Sequence, residues 1–311
     1  NVLWIFWLFI SLLRGYRTIS LVFGGGMVLS ISGALYLSGS HGAAGAVLGY
    51  AFGILLIDMI FVLMAIKAHP PVSPDDGWAA FPRYAKRYSA LIFSGFFFYA
   101  GQWLDKFYFW FARGSAVPGT ALRTYDVYDM AVYIAGLSII PGLVYFIIIT
   151  ETQLYTDLRH FLFSLNHSSW TRIQKARQRL NASLRHELRD QSLLQLACTL
   201  GIAFLLLHTG LGNITKPEMW LSLGAAYAQF TLLTILVFQY YFELYRRALA
   251  TAGLYFFLNG IGGALLYTLL PTLPAGVGHL VAGTTACVVG YSLLRRAVYR
   301  IDRIIFRRAL G

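Results

Sequence analysis

Apolar residues along this 311-residue chain gather in long unbroken blocks, separated by short polar stretches. Eight blocks are of the length a helix needs to cross a bilayer, which is about 18–20 residues. They run roughly 18–38, 43–66, 88–112, 127–150, 192–209, 219–243, 249–270 and 278–295. A backbone in lipid must satisfy its own polar groups, so each block is predicted to be a helix. A ninth block, Asn1–Leu13, is too short to span and opens without a methionine or a signal-peptide leader. It reads as the tail of a span whose beginning lies outside this sequence.

Two polar stretches are long. HPPVSPDDGWAAFPR, residues 69–83, is rich in proline and reads as a connector between two helical halves. Residues 151–191 carry Trp170, Ile173, Ala176, Leu180, Leu184 and Leu188 at helical spacing, with Arg172, Lys175, Arg179 and Arg185 beside that stripe. Ser169 stands where a helix start would be capped. Such a basic amphipathic helix lies on a membrane surface or docks a partner, and Trp170, Arg172, Lys175 and Arg179 are its candidate contacts. An ordinary linker at the interface is the alternative.

Composition agrees with the pattern: 58% of residues are hydrophobic and only 12% charged, about half the charged share of a soluble domain. The net charge of +12 is unevenly placed. Numbering the loops by the spans puts twenty-one basic residues on one side and only Arg113, Arg123 and Lys216 on the other. The basic side is the expected cytoplasmic one, in contact with anionic headgroups. No aromatic-plus-basic module for nucleic acid accompanies the charge.

Little in the chain points to catalysis. There is no GxxxxGK[ST] nucleotide loop. HELRD, residues 186–190, starts like a zinc-protease motif but ends on Asp190 where a second histidine is needed. Cys198 and Cys287 lie in apolar runs and fit no metal spacing. No enzyme activity, cofactor or metal is expected, and the outer loops are too short to carry a catalytic site.

Charge inside a span is costly, about 2.5–3.5 kcal/mol even on the mildest scales, and normally faces protein or a water-filled cavity. Asp58 in LLIDMIF and Asp105 in QWLDKF qualify, each roughly 13 Å from a helix end. Ser94, Gln102 and Tyr108 share a helical face with Asp105, so the five residues are the candidate substrate or ion cavity set. The plainer alternative has Asp105 hydrogen-bonding a neighbouring helix. Lys106 points about 100° away and is expected to reach the outer headgroups. The surrounding aromatics, Phe96 to Tyr99, Trp103, Phe107 and Trp110, suit either an interfacial belt or sugar contact. Pro141 frees the carbonyl of Leu137 and should kink its helix. Glycines at 24–26, 33, 260, 262 and 263 allow close or broken helices.

Two segments carry a more specific signal. LDKFYFWF (104–111), followed after a short loop by RTYDVYDMAVYIA (123–135), resembles the xDrxxxg and vGxYxxA pattern of polysaccharide flippases. Those transporters belong to the multidrug/oligosaccharidyl-lipid/polysaccharide (MOP) exporter superfamily. The run 128–161, YDMAVYIAGLSIIPGLVYFIIITETQLYTDLRHF, looks more closely like PelG-type exopolysaccharide transporters. Tyr128 and Asp129 stand near a position where many flippases have glycine, so the fine match is to the PelG type.

The resemblance implies an all-α, two-lobed polytopic bundle of about twelve spans working by alternating access. Residues 1–66 would end the N-terminal lobe, 67–87 would be a cytoplasmic inter-lobe linker, and 88–311 the C-terminal lobe. The implied function is export of a Pel-like exopolysaccharide across the bacterial inner membrane for a biofilm matrix. A cytoplasmic glycosyltransferase and other inner-membrane synthase subunits are the implied partners. Lys106, the one basic residue noted within a span, points to a neutral or cationic glycan. Two rivals remain: a scaffold that recruits a glycosyltransferase, and a cation-coupled drug antiporter of the same superfamily.

Overall fold

The computed structural model describes residues 16–68, 75–146, 151–210 and 216–299. Asn1–Leu13 and the run 69–74 of the proline-rich connector lie outside them. The fold is an all-helical membrane bundle. Among the described residues six helices are long and apolar enough to cross a membrane. The first of them folds back on itself, and the helix at Ser89–Ala112 is not among them, because Gln102, Asp105 and Lys106 dilute its apolar length. Those two differences reconcile six with the eight blocks of the sequence.

By contacts the chain divides into residues Asn1–Tyr84 and Ala85–Gly311. The first unit is built on α1 (Tyr16–Ala68), which breaks at Gly42, whose φ of 58° and ψ of −141° lie outside the helical region. Glycine alone adopts that backbone without strain. Three close approaches, Gly26 to Ile57, Ser30 to Gly53 and Gly33 to Gly49, run in opposite order along the two halves. The halves therefore form an antiparallel hairpin. A Cβ on Gly49 would sit 2.2 Å from the Gly33 carbonyl carbon, so the backbones touch where both residues are glycine. Gly24 and Gly25 face open space and have no part in this seam. Ile19, Ile57 and Phe61 fill the core of the hairpin.

The short helix α2 (Asp75–Arg87) follows, with Pro82 inside it, so part of the connector predicted from residues 69–83 is helical. The second unit then opens with α3 (Ser89–Ala112), whose buried face is Ser94, Phe98, Gly101, Asp105 and Phe109. A two-residue hairpin, β1 (Ser115–Ala116) paired with β2 (Arg123–Thr124), turns the outer loop. The next span is two helices, α4 (Asp126–Leu137) and α5 (Ile139–Tyr145), interrupted at Ser138. Pro141 is the cause: it has no N–H to offer three to four residues back. Residues 147–150 of that block are outside the described part.

Helix α6 (Glu151–His167) and helix α7 (Trp170–Thr209) pack on one another. The polar helix expected in 151–191 and the span expected at 192–209 are thus, from Trp170 on, one continuous helix of 40 residues, about 60 Å long. Its apolar stripe is not free to meet a membrane or partner. Ile173, Ala176, Leu180 and Leu184 are buried with Phe161, Phe238, Leu294 and Val298 in one core. Trp170, Arg172 and Lys175 stay exposed, while Arg179 lies 3.4 Å from Asp157 of α6.

Helix α8 (Pro217–Tyr241) is the most buried of the candidate spans and forms the axis of this unit. Around it pack α4, α7 and α11 (Val277–Val298). Between α8 and α11 runs α9 (Tyr245–Phe257), then a π-helical turn (Leu258–Gly262) and α10 (Gly263–Leu269). The π-turn brings Gly260 against α3, where a Cβ would sit 2.4 Å from Leu104 Cδ1. Asn259, on the same turn, donates to the Gly101 carbonyl at 2.8 Å.

Candidate functional site

Asp105 is only 3% exposed; three helices meet at its carboxylate and a fourth joins through His279. Its Oδ2 accepts a hydrogen bond from the Tyr128 hydroxyl of α4. The Nδ1 of His279, on α11, is 3.2 Å from the same oxygen. The other ring nitrogen of His279 is 2.9 Å from the hydroxyl of Tyr255 on α9. His279 is 2% exposed, Tyr128 1% and Tyr255 0%, so the whole chain Tyr128–Asp105–His279–Tyr255 is buried. Asp105 Oδ1 has no partner. Two local features make room for it. Gly101 lets the Tyr255 ring approach to where a Cβ would be 2.9 Å away, and Tyr267 accepts the Gly278 N–H at 2.8 Å beside His279.

Next to this chain is a cavity of about 150 Å³ between α3, α4, α8 and α11. Gln102, Trp103, Lys106, Ser222, Gln229 and His279 supply its polar and aromatic surface, and small residues of α4 and α8 complete it. That volume holds about five waters. His279 is the link, since it touches the cavity on one side and Asp105 on the other.

The candidate residues are therefore spread over several places. Gln102 lines the cavity. Asp105 stands behind its wall, bonded to neighbouring helices. Ser94 is fully buried nearer the start of α3, donating to the Leu91 carbonyl at 2.8 Å with its hydroxyl 3.0 Å from that of Tyr240. Tyr108 stacks on Tyr267 with ring centres 5.8 Å apart, in a cluster with Phe109, Tyr125 and Tyr128. Asp58 belongs to the first unit, where its Oδ1 is buried without a partner. Lys106 does not reach outward. Its ammonium donates to the Gln102 carbonyl at 2.6 Å and lies 5.4 Å from the Trp103 ring centre, which replaces lost hydration with a carbonyl and a π-face. Pro141 marks the α4–α5 break, and Gln195 of α7 donates to the buried Ser138 carbonyl there at 3.1 Å.

Sequence reasoning missed His279, the partner of Asp105. The signal was available, because a histidine inside an apolar span is as unusual as an aspartate there. His279 also means that Lys106 is not the only basic side chain at the cavity. The roles of Tyr128 and Asp129 were not legible either. Asp129 accepts the Trp110 indole N–H at 2.9–3.0 Å and the Tyr125 backbone N–H at 2.9 Å, fastening the start of α4 to the end of α3. Arg113 and Arg123, counted as outer-loop charges, donate to the carbonyls of Leu273, Pro271, Trp110 and Gly114 and lock the same end.

Multiple membrane helices around a polar, charge-bearing cavity are the build of a transport protein. A family model covers nearly the whole chain, residues 1–306, under the description "PelG: Putative exopolysaccharide Exporter (EPS-E)". The chain belongs to the PelG family. No curated protein and no solved structure gave a significant match.

Proposed function

We propose that this chain exports an exopolysaccharide across the bacterial inner membrane by alternating access, and so contributes to a biofilm matrix. The observation that carries the reading is the buried Asp105–His279 pair set against a polar cavity within the spans. Ionisable groups at that depth are retained for function or held by strong partners, and His279 contacts both Asp105 and the cavity. Trp103 offers a flat face to a sugar ring, and Gln102, Gln229 and Lys106 offer hydrogen bonds to its hydroxyls. The Asp105–His279 pair contributes the charge whose protonation or ion contact drives the cycle. Trp170, Arg172 and Lys175 form the exposed face for a cytoplasmic glycosyltransferase or another synthase subunit.

The test is extracellular polymer from cells carrying the full-length gene, the Asp105→Asn variant or no gene, at matched membrane protein levels. Loss of polymer in both altered strains is expected. Normal export by Asp105→Asn would make Asp105 purely structural. Normal polymer without the gene would refute export itself.

A further inference from the structure

A second concavity, of about 310 Å³, lies between α7 and α11, far along the chain from the residues of the Asp105 site. Its walls are two single helix faces. Arg177, Asn181 and Arg185 recur every four residues on α7, and Tyr291 and Arg295 on α11 are continued at the same spacing by Tyr299, which caps its end. Side chains at that spacing project from one side of a helix, so the three guanidinium groups share one hollow. Leu184, 3% exposed, belongs both to its lining and to the apolar core beneath.

The charge pattern is selective. Among the described residues no acidic side chain lines the hollow. Elsewhere on α7, Arg179 is 3.4 Å from Asp157 and Arg189 is 2.9 Å from Asp190. Arg185 and Arg295 have no carboxylate within ion-pair distance among the described residues. Arg177 lies 6.0 Å from the Tyr299 ring centre, so one guanidinium is already braced against an aromatic face. The like charges of Arg185 and Arg295 over an apolar floor repel one another until an anion joins them. Arginine forks match the oxygens of a phosphate in pairs, which a lysine cannot do. The amides of Gln178 and Asn181 and the two tyrosine hydroxyls add neutral hydrogen-bonding groups. The volume is at the lower end of small-molecule sites, about 300 Å³, and exceeds what a bare phosphate fills.

We infer that this hollow binds a phosphate ester. Both walls come from chain segments on the arginine-rich side of the spans, the side expected to face the cytoplasm. Two sources supply that chemistry there: the headgroup of an anionic phospholipid, or a free phosphorylated compound. The site is independent of the cavity at His279, and its test does not use export.

The full-length protein, purified in neutral detergent, is titrated with phosphatidylglycerol and with phosphatidylcholine, and binding is read by native mass spectrometry. In a parallel arm inorganic pyrophosphate is added and the melting temperature followed. The variant Arg185→Gln/Arg295→Gln is compared with Arg172→Gln/Lys175→Gln, which removes equal charge from the exposed face of α7. Selective phosphatidylglycerol binding, weakened roughly tenfold or more in the first variant alone, identifies a lipid headgroup. A pyrophosphate-induced rise in melting temperature that only the first variant loses identifies a free phosphate compound. No binding in either arm, or equal loss in both variants, overturns the proposal and leaves only diffuse charge attraction. Arg185 and Arg295 are exposed, so their replacement should leave the unliganded melting temperature unchanged. A third variant, Arg185→Lys/Arg295→Lys, keeps the charge but loses the fork, and should bind more weakly than wild type.

Discussion

The contact between Asp105 and His279 can be measured by a double-mutant cycle. The perturbations are Asp105→Asn, His279→Gln and the two together. At 3.2 Å, a full ion pair in a medium of effective dielectric about 20 has a gross attraction of about 5 kcal/mol. Desolvation of both groups offsets much of that, and what survives for a hydrogen bond to a charged partner is about 1.5–3 kcal/mol. The Asp105→Asn change removes the charge, leaving only a neutral amide oxygen to accept from Tyr128 and face His279.

We therefore expect Asp105→Asn alone to lower stability by about 3 kcal/mol, near the lower end for breaking a buried pair. The two single changes should exceed the double by a coupling of about 2 kcal/mol. The assay is equilibrium unfolding of the purified protein in mixed micelles, followed by tryptophan fluorescence. A coupling below about 0.5 kcal/mol, the scatter of independent sites, would show that the two side chains do not act as a pair.

Three further outcomes follow from other contacts. Gly49→Ala should destabilise the α1 hairpin by about 1–3 kcal/mol, because its Cβ would lie 2.2 Å from backbone. Gly24→Ala, facing open space, should leave the melting temperature unchanged. Gln195→Leu strips the Ser138 carbonyl of its 3.1 Å donor and should cost about 1–3 kcal/mol. Faster amide exchange over residues 139–145 is the check. Asp129→Ala removes the acceptor for both Trp110 and the Tyr125 N–H, so a loss of about 1–2 kcal/mol is expected. Asp126→Ala, in the same helical turn but without those bonds, is the comparison and should cost less.

Much of the bundle was legible because lipid imposes a coarse rule on sequence. A block of the right length must be a helix, and the gap between residues 38 and 43 marked the turn that Gly42 makes. Pro141 foretold the α4–α5 break from its missing N–H alone. What stayed hidden depended on pairing. Asp105 shares a helical face with Ser94 and Tyr108, but the face says nothing of whether water or Tyr128 and His279 lies opposite. Lys106 was sent outward by the general habit of long cations, whereas the Gln102 carbonyl one turn back was closer. The amphipathic stripe from Ile173 to Leu184 was found, yet a stripe does not say whether its partner is lipid, another protein or the same chain. The structure supplies Phe161 and Leu294 as that partner. The polar helix and the span were read as two elements divided at Gln191, whereas Gln191 and Gln195 lie on one helix and face the broken span.

Those two glutamines bear on how a cavity in lipid can change shape. A broken helix frees carbonyls, and in hydrocarbon each must find a donor. Beside the α4–α5 break side-chain amides add donors, Gln195 to Ser138 and Gln191 to Gly142 at 3.0 Å, and Asn259 of the π-turn donates to Gly101 of the continuous helix α3 at 2.8 Å. Gly136 and Ile139, on either side of the first break, line the cavity, and the π-turn packs on the helix that carries Asp105. An amide on a flexible stem follows a moving carbonyl over a range that an i to i−4 backbone bond does not. The segments bordering the cavity are thus the ones whose backbone bonds tolerate rearrangement. The Tyr128–Asp105–His279–Tyr255 chain, by contrast, ties α3, α4, α9 and α11 together at one point. In the proposed cycle, weakening that tie, by protonating Asp105 or drawing His279 into the cavity, would free the helices around it. The predicted signature is coupled: Asp105→Asn should raise amide exchange at 139–145 as well as at its own contacts. An effect confined to the contacts of Asp105 would separate the charge pair from the movement of the cavity wall.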